Sequence, residues 1–171
     1  MILDLREFEE FPARKTIEAG PGALKPFADT VVSVESVGVT VDIQKAGDEY
    51  FCQAAVSVKI IGECVRCLTH YPTVLAGRTD FIICSDTEEN RLRASEDDED
   101  YVFFRGSDLR VDISEPVRQA AILSLSLKPL CSEDCRGLCS QCGTNLNERT
   151  CDCVKESIDP RWEGLRGLTS E

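Results

Sequence analysis

Apolar and polar residues alternate along two neighbouring stretches of the chain. Val37, Val39, Val41 and Ile43 occupy every second position, and Tyr50, Cys52, Ala54, Val56, Val58 and Ile60 repeat the pattern. Period two is the mark of a strand with one buried face. The turn-forming Ala-Gly-Asp-Glu at 46–49 joins the two runs into a β-hairpin. A third strand is predicted from Thr73 to Cys84. Short connections between these strands imply antiparallel pairing. Residues 1–29 are broken by Pro12, Gly20, Pro21, Gly22 and Pro26 and give no firm pattern.

Residues 86–100 interrupt the alternation with eight acids and two arginines. Such a run reads as a solvated loop, or alternatively as a docking site for a basic partner. Order resumes at Tyr101–Phe104 and at Leu109–Ile113. The four apolar-aromatic residues 101–104 suit a core more than a base-stacking platform. A helix is predicted at 113–124. Asp112 and Glu115 are spaced as a capping box, and Pro116 is tolerated in a first turn. Ile113, Val117, Ala120 and Ala121 share one helical face. The pattern therefore predicts an α+β fold, mainly an antiparallel β-sheet or a partly open barrel with one packed helix. This body spans 1–127, and a cysteine-rich tail occupies 128–171.

Charge narrows the function. The chain has 171 residues, 29% of them charged, with a net charge of −12. That balance argues against gripping nucleic acid through a broad basic surface, and direct RNA contact finds no support in it. The first residues, MILDLREFEE, carry neither a basic lead-in nor an apolar run, and no stretch has the length of a membrane span. The expectation is a cytoplasmic chain whose thiols stay reduced. Clustered cysteines are then metal-binding or catalytic before they are disulfides.

There are ten cysteines and one histidine. Cys52 and Cys84 lie on predicted strands and behave as small core hydrophobes. The other eight are clustered. Cys139 and Cys142 form a CxxC followed by Gly143, a residue free to take the left-handed conformation that closes a metal-binding knuckle. Asn145 and Asn147 suit a following turn. With Cys151 and Cys153 they compose a four-thiolate zinc site. Cys64 and Cys67 form a second CxxC around Arg66. Paired with Cys131 and Cys135, they compose a possible second site that would pin the tail to the sheet; one site drawn from another four of the eight is the competing scheme. Metal would supply the folding free energy that so short and apolar-poor a tail lacks. A redox role for Cys64–Cys67 is the chief alternative, since Arg66 would favour a thiolate. Against it, the motif follows a strand and opens no helix. His70 reads as a partly exposed histidine, or as an outer partner of the zinc site. No catalytic constellation is present.

The blocks GECVRCL (62–68), LSLKPLCSEDCRGLCSQCGTNLN (125–147), CDC (151–153) and DPRWEGLRGL (159–168) together resemble the bacterial and plastid family of large ribosomal RNA subunit accumulation proteins. The resemblance covers residues 62–168. It implies a non-enzymatic role in accumulating large-subunit (23S-type) rRNA, with ribosomal proteins or assembly intermediates as partners and no membrane. It places the family's cysteine signatures on Cys64, Cys67, Cys131, Cys135, Cys139, Cys142, Cys151 and Cys153, with Arg66 and Leu68 completing the first. A zinc-ribbon nucleic-acid binder is the remaining alternative.

Overall fold

The structure is a computed structural model that describes residues 1–24, 31–94, 100–153 and 161. Among the described residues, seven strands and two α-helices follow in order: β1 (Ile2–Asp4), β2 (Ala13–Ala19), β3 (Val31–Ala46), β4 (Glu49–Glu63), β5 (His70–Ser85), α1 (Glu88–Arg93), β6 (Tyr101–Phe104), β7 (Arg110–Asp112) and α2 (Ser114–Leu123). A single 3-10 turn, Leu5–Glu7, follows β1.

The alternating runs form the centre of an open five-stranded sheet, ordered β2-β3-β4-β5-β6. Antiparallel register sets Val37 opposite Val58, Val39 opposite Val56, Val41 opposite Ala54 and Ile43 opposite Cys52. All eight side chains lie on the buried face. The β3–β4 turn is only Gly47–Asp48, and Gly47 takes a left-handed φ of 63° there. On the other side of β4, Val58 faces Leu75 and Cys52 faces Phe81.

α2 lies across the buried face, with Pro116, Val117, Ala120 and Ala121 inward and Ile113 buried at its start. Its approach depends on Gly77 in β5. A Cβ there would stand 2.5 Å from the Ala120 carbonyl oxygen, so the helix backbone sits directly on the strand. The helix begins at Ser114, and no side chain caps Ile113. Asp112 accepts instead from the Ser114 amide and hydroxyl, at 2.9 and 2.6 Å. Glu115 turns to Arg118, 2.9 Å away. The capping-box spacing thus produces an aspartate turn ahead of the helix and a separate ion pair.

Two features depart from the sequence expectation. First, β6 runs parallel to β5, with Ile82 beside Tyr101 and Cys84 beside Phe103, so the sheet is mixed and does not close into a barrel. A parallel neighbour needs a crossover of a dozen or more residues, and the acidic stretch 86–100 provides it. Second, that stretch is not wholly loop. Thr87 caps α1 by accepting the Asn90 amide at 3.3 Å. Asp86 binds Arg91 at 2.5 Å and Arg105 at 3.0 Å, and Arg93 reaches Glu49 at 2.6 Å. Residues 95–99 of the stretch lie outside the described residues. β1 and β7 form a separate antiparallel pair that buries Leu3 and Val111 against the main core. No helix among the described residues is long and apolar enough to cross a membrane.

Val102 and Phe104 of β6 pack on the core, while Tyr101 and Phe103 stack on the opposite face with ring centroids 6.3 Å apart. A shallow depression beside them, about 430 Å³, is lined by Phe51, Gln53, Asp80, Ile82 and Asp100 among others. Its two carboxylates repel phosphate, which weighs against a base-stacking role.

Candidate metal centres

The hairpin between β4 and β5 does not end in a simple turn. Residues 64–69 fold into a knuckle in which the Cys64 amide donates to the Thr69 carbonyl at 3.1 Å and the Leu68 amide donates to the Cys64 carbonyl at 2.9 Å. The tail repeats this fold. There the Cys139 amide donates to the Thr144 carbonyl at 2.8 Å, and the Gly143 amide donates to the Cys139 carbonyl at 2.9 Å. In each knuckle a threonine hydroxyl lies against the second sulfur, Thr69 at 3.3 Å from Cys67 and Thr144 at 3.1 Å from Cys142. The residue after the second cysteine takes a left-handed φ in both, 71° at Gly143 and 58° at Leu68. CVRCLT and CSQCGT are therefore one structural unit used twice.

Each knuckle meets a second cysteine pair. Cys64 and Cys67 join Cys131 and Cys135 in an inner tetrad; Cys139 and Cys142 join Cys151 and Cys153 in an outer one. Within each group all four sulfurs lie within 4.8 Å of one another. In the inner tetrad Cys64 and Cys135 sulfurs are 3.8 Å apart, and Cys67 and Cys131 sulfurs 3.5 Å. Four sulfurs placed tetrahedrally at about 2.3 Å from a zinc ion would be about 3.8 Å apart, so the spacing fits one ion per tetrad. A disulfide needs about 2.05 Å, and all ten cysteines are free.

The inner tetrad is sealed and tied to the sheet. Cys64, Cys67 and Cys135 are buried, with Tyr71, Leu130, Cys131 and Leu138 packed around them. The Val65 amide donates to the Pro129 carbonyl at 3.0 Å, and the Leu138 amide to the Arg66 carbonyl at 3.1 Å. Arg66 folds back so that its guanidinium donates to the Cys135 carbonyl at 2.9 Å. Its work is to hold the tail against the knuckle. Gly137 passes close above, with φ 73°, and a Cβ there would stand 3.0 Å from the Arg66 carbonyl oxygen. Asn147 donates to the Cys135 sulfur at 3.3 Å and accepts the Arg136 amide at 2.8 Å. Asn145 links the two centres by donating to Thr69 at 3.4 Å. The outer tetrad is open by comparison: Cys142 and Cys153 are exposed, and Cys139 and Cys151 half-buried.

Thiols crowded this closely cannot all ionise unaided. Burial pushes Cys64 up, yet the backbone amides of Cys131, Cys67 and Arg66 outweigh it and bring the thiol down to about 6. Cys131 is pushed up to about 12, first by the neighbouring Cys67. In the outer tetrad the Thr144 hydroxyl lowers Cys142 to about 6, while Cys142 in turn pushes Cys153 up to about 12. A divalent cation resolves the conflict by stabilising four thiolates at once.

The remaining candidates fall elsewhere. Cys52 and Cys84 are buried in the sheet, and burial pushes Cys52 up to about 12. Both act as core residues. His70 stands outside both tetrads, half exposed, with its Nε2 3.3 Å from a Glu63 carboxylate oxygen. Thr69, Thr144, Gly137 and the left-handed Leu68 escaped the sequence reading. The parallel between CVRCLT and CSQCGT was the available signal for Thr69, Thr144 and the conformation of Leu68; nothing in the sequence marked Gly137.

A family model described as large ribosomal RNA subunit accumulation protein YceD matches residues 52–169, a span that includes both tetrads. The chain belongs to this family. The chain is 30% identical over 159 residues to an uncharacterized protein of Mycobacterium tuberculosis, covering 85% of this chain and 74% of the relative. It is 34% identical over 73 residues to large ribosomal RNA subunit accumulation protein YCED homolog 1, chloroplastic, of Arabidopsis thaliana, covering 43% of this chain and 23% of that protein. The maize protein of the same description is 34% identical over 61 residues, covering 35% and 21%. No solved structure matches the chain.

Proposed function

We propose that this chain is a non-enzymatic, cytoplasmic ribosome-biogenesis factor that supports accumulation of large-subunit rRNA through protein contact, with a structural zinc ion in each tetrad. The family membership supports the process. The observation that supports this reading is the pair of tetrads, whose eight cysteines converge as two four-sulfur sets placed for ligation. Sulfur-only tetrahedral sites of this kind suit zinc and leave it no open position for substrate.

The chain's own residues do the rest. Cys64 and Cys67 anchor the tail to the end of β4, Arg66 and Gly137 lock the tail's approach, and Asn145 couples the two centres. The product is a rigid platform at one end of the sheet. A net charge of −12 favours basic partners such as ribosomal proteins over RNA itself. Gentle affinity purification from cells should recover large-subunit proteins or precursors, and gene deletion should lower 23S-type rRNA relative to 16S-type rRNA. Recovery of neither, with unchanged rRNA ratios, would refute this role. Native mass spectrometry should count two zinc ions, lost on strong chelation.

A further inference from the structure

The twin knuckles differ at one place where the difference is costly. Both require a left-handed residue after the second cysteine; the outer knuckle uses glycine and the inner one uses leucine. A γ-branched side chain resists that conformation, and residues held so are retained for what they do rather than for the backbone. Nor does the Leu68 side chain pack inward to compensate, since it is 56% exposed. Val65, in the same knuckle, is 52% exposed. The outer knuckle carries Ser140, Gln141 and Gly143 where the inner one carries Val65, Arg66 and Leu68. The chain has thus placed two apolar side chains on the tip of one knuckle and kept the other polar.

Charges of both signs surround this tip, Arg66 and Arg136 among them, while the chain as a whole is strongly acidic. Glu63 precedes it, and Glu133 and Asp134 are exposed on the loop that closes the inner tetrad. Four thiolates around a divalent cation add two further negative charges. Arg66 is turned aside onto the Glu133 and Cys135 carbonyls. An apolar tip on a chain of net charge −12 matches a cationic protein that offers an apolar anchor.

We propose that Val65 and Leu68 form the contact surface for a lysine- and arginine-rich protein that inserts an apolar side chain against the inner knuckle. Resting on the biogenesis reading above, the partner is a protein of the large ribosomal subunit.

The test uses the full, zinc-loaded chain immobilised and challenged with the protein mixture stripped from purified large ribosomal subunits. Retained proteins are identified and quantified by mass spectrometry for the natural chain, for Leu68→Gly and for Leu68→Asn, which keeps left-handed geometry accessible. The natural chain should retain at least one basic large-subunit protein, and both variants should retain it at least tenfold less. Zinc content should stay at two ions, and Leu68→Gly should melt no lower than the natural chain. Equal retention by both variants overturns the contact surface and leaves the biogenesis role standing. Retention of nothing by the natural chain overturns both. A Leu68→Gly chain that loses zinc or melts lower overturns the proposal too, because Leu68 would then serve the knuckle itself.

Discussion

Removing the metal should dissolve the tail and spare the sheet. The two buried clusters are separate: the main core is built from β1 to β7 with α2, while the second contains Cys64, Cys67 and Cys135 with a few half-buried neighbours. Among the described residues, Leu130 and Leu138 are the only aliphatic side chains of the tail in that second cluster. Half-burying each contributes about 1 kcal/mol. A structural zinc site contributes on the order of 10 kcal/mol, so ions held in the tetrads would dominate the order of the described tail. Hydrogen exchange read by mass spectrometry, with and without a strong chelator, separates the two parts. The amides of Leu138, Cys139 and Leu146 are bonded within the tail or to the knuckle, to Arg66, Thr144 and Gly137. With two ions gone, their exchange should accelerate by about three decades or more, a difference of about 4 kcal/mol. Amides of Val39, Val56 and Val58 should change less than tenfold. Unchanged tail exchange after verified metal loss would refute the reasoning, and so would collapse of the sheet.

Three further outcomes follow from local geometry. Gly137→Ala should cost roughly 2–3 kcal/mol, combining left-handed strain with the Arg66 contact, whereas Gly143→Ala, with open space around it, should cost about 1 kcal/mol; thermal melting of the zinc-loaded chains measures both. Gly77→Val should lift α2 from β5 and lower stability by about 3 kcal/mol in urea titration, and an unchanged midpoint would contradict the packing. The Arg91 and Arg105 guanidinium groups hold the Asp86 carboxyl below the usual carboxylate range. Its folded value is depressed, so its anchoring is fully present above the unfolded value and is lost as pH falls through the folded one. An NMR titration should show Asp86 still ionised where free aspartates protonate, with loosening of α1 only at lower pH.

How far the sequence revealed this molecule depended on how local each signal was. The β3–β4–β5 meander was legible because one face of each strand is buried and the alternation survives for many residues. β2 was not, since Ile17 is the only large apolar side chain in ARKTIEA, and its place is set by pairing with β3. The direction of β6 was hidden because four residues carry no directional information; the length of the acidic crossover did. The eight cysteines were visible as pairs, and the sequence offered this grouping beside a competing one; the return of the chain after α2, which sets residue 135 beside 64, selects it. Leu68 was the least legible, because leucine gives no hint of a left-handed backbone. Only alignment of the two six-residue knuckles shows that it stands where glycine belongs.

The two centres also differ in how much of the chain must be in place before they can exist. The outer set draws all its sulfurs from Cys139 to Cys153, a stretch short enough to gather around an ion by itself. The inner set spans separations of 64 and 71 residues, which enclose β5, β6, β7 and α2. Its ion can be held only after those elements are seated. An ion in the inner centre would therefore record that the chain between its ligands has folded throughout.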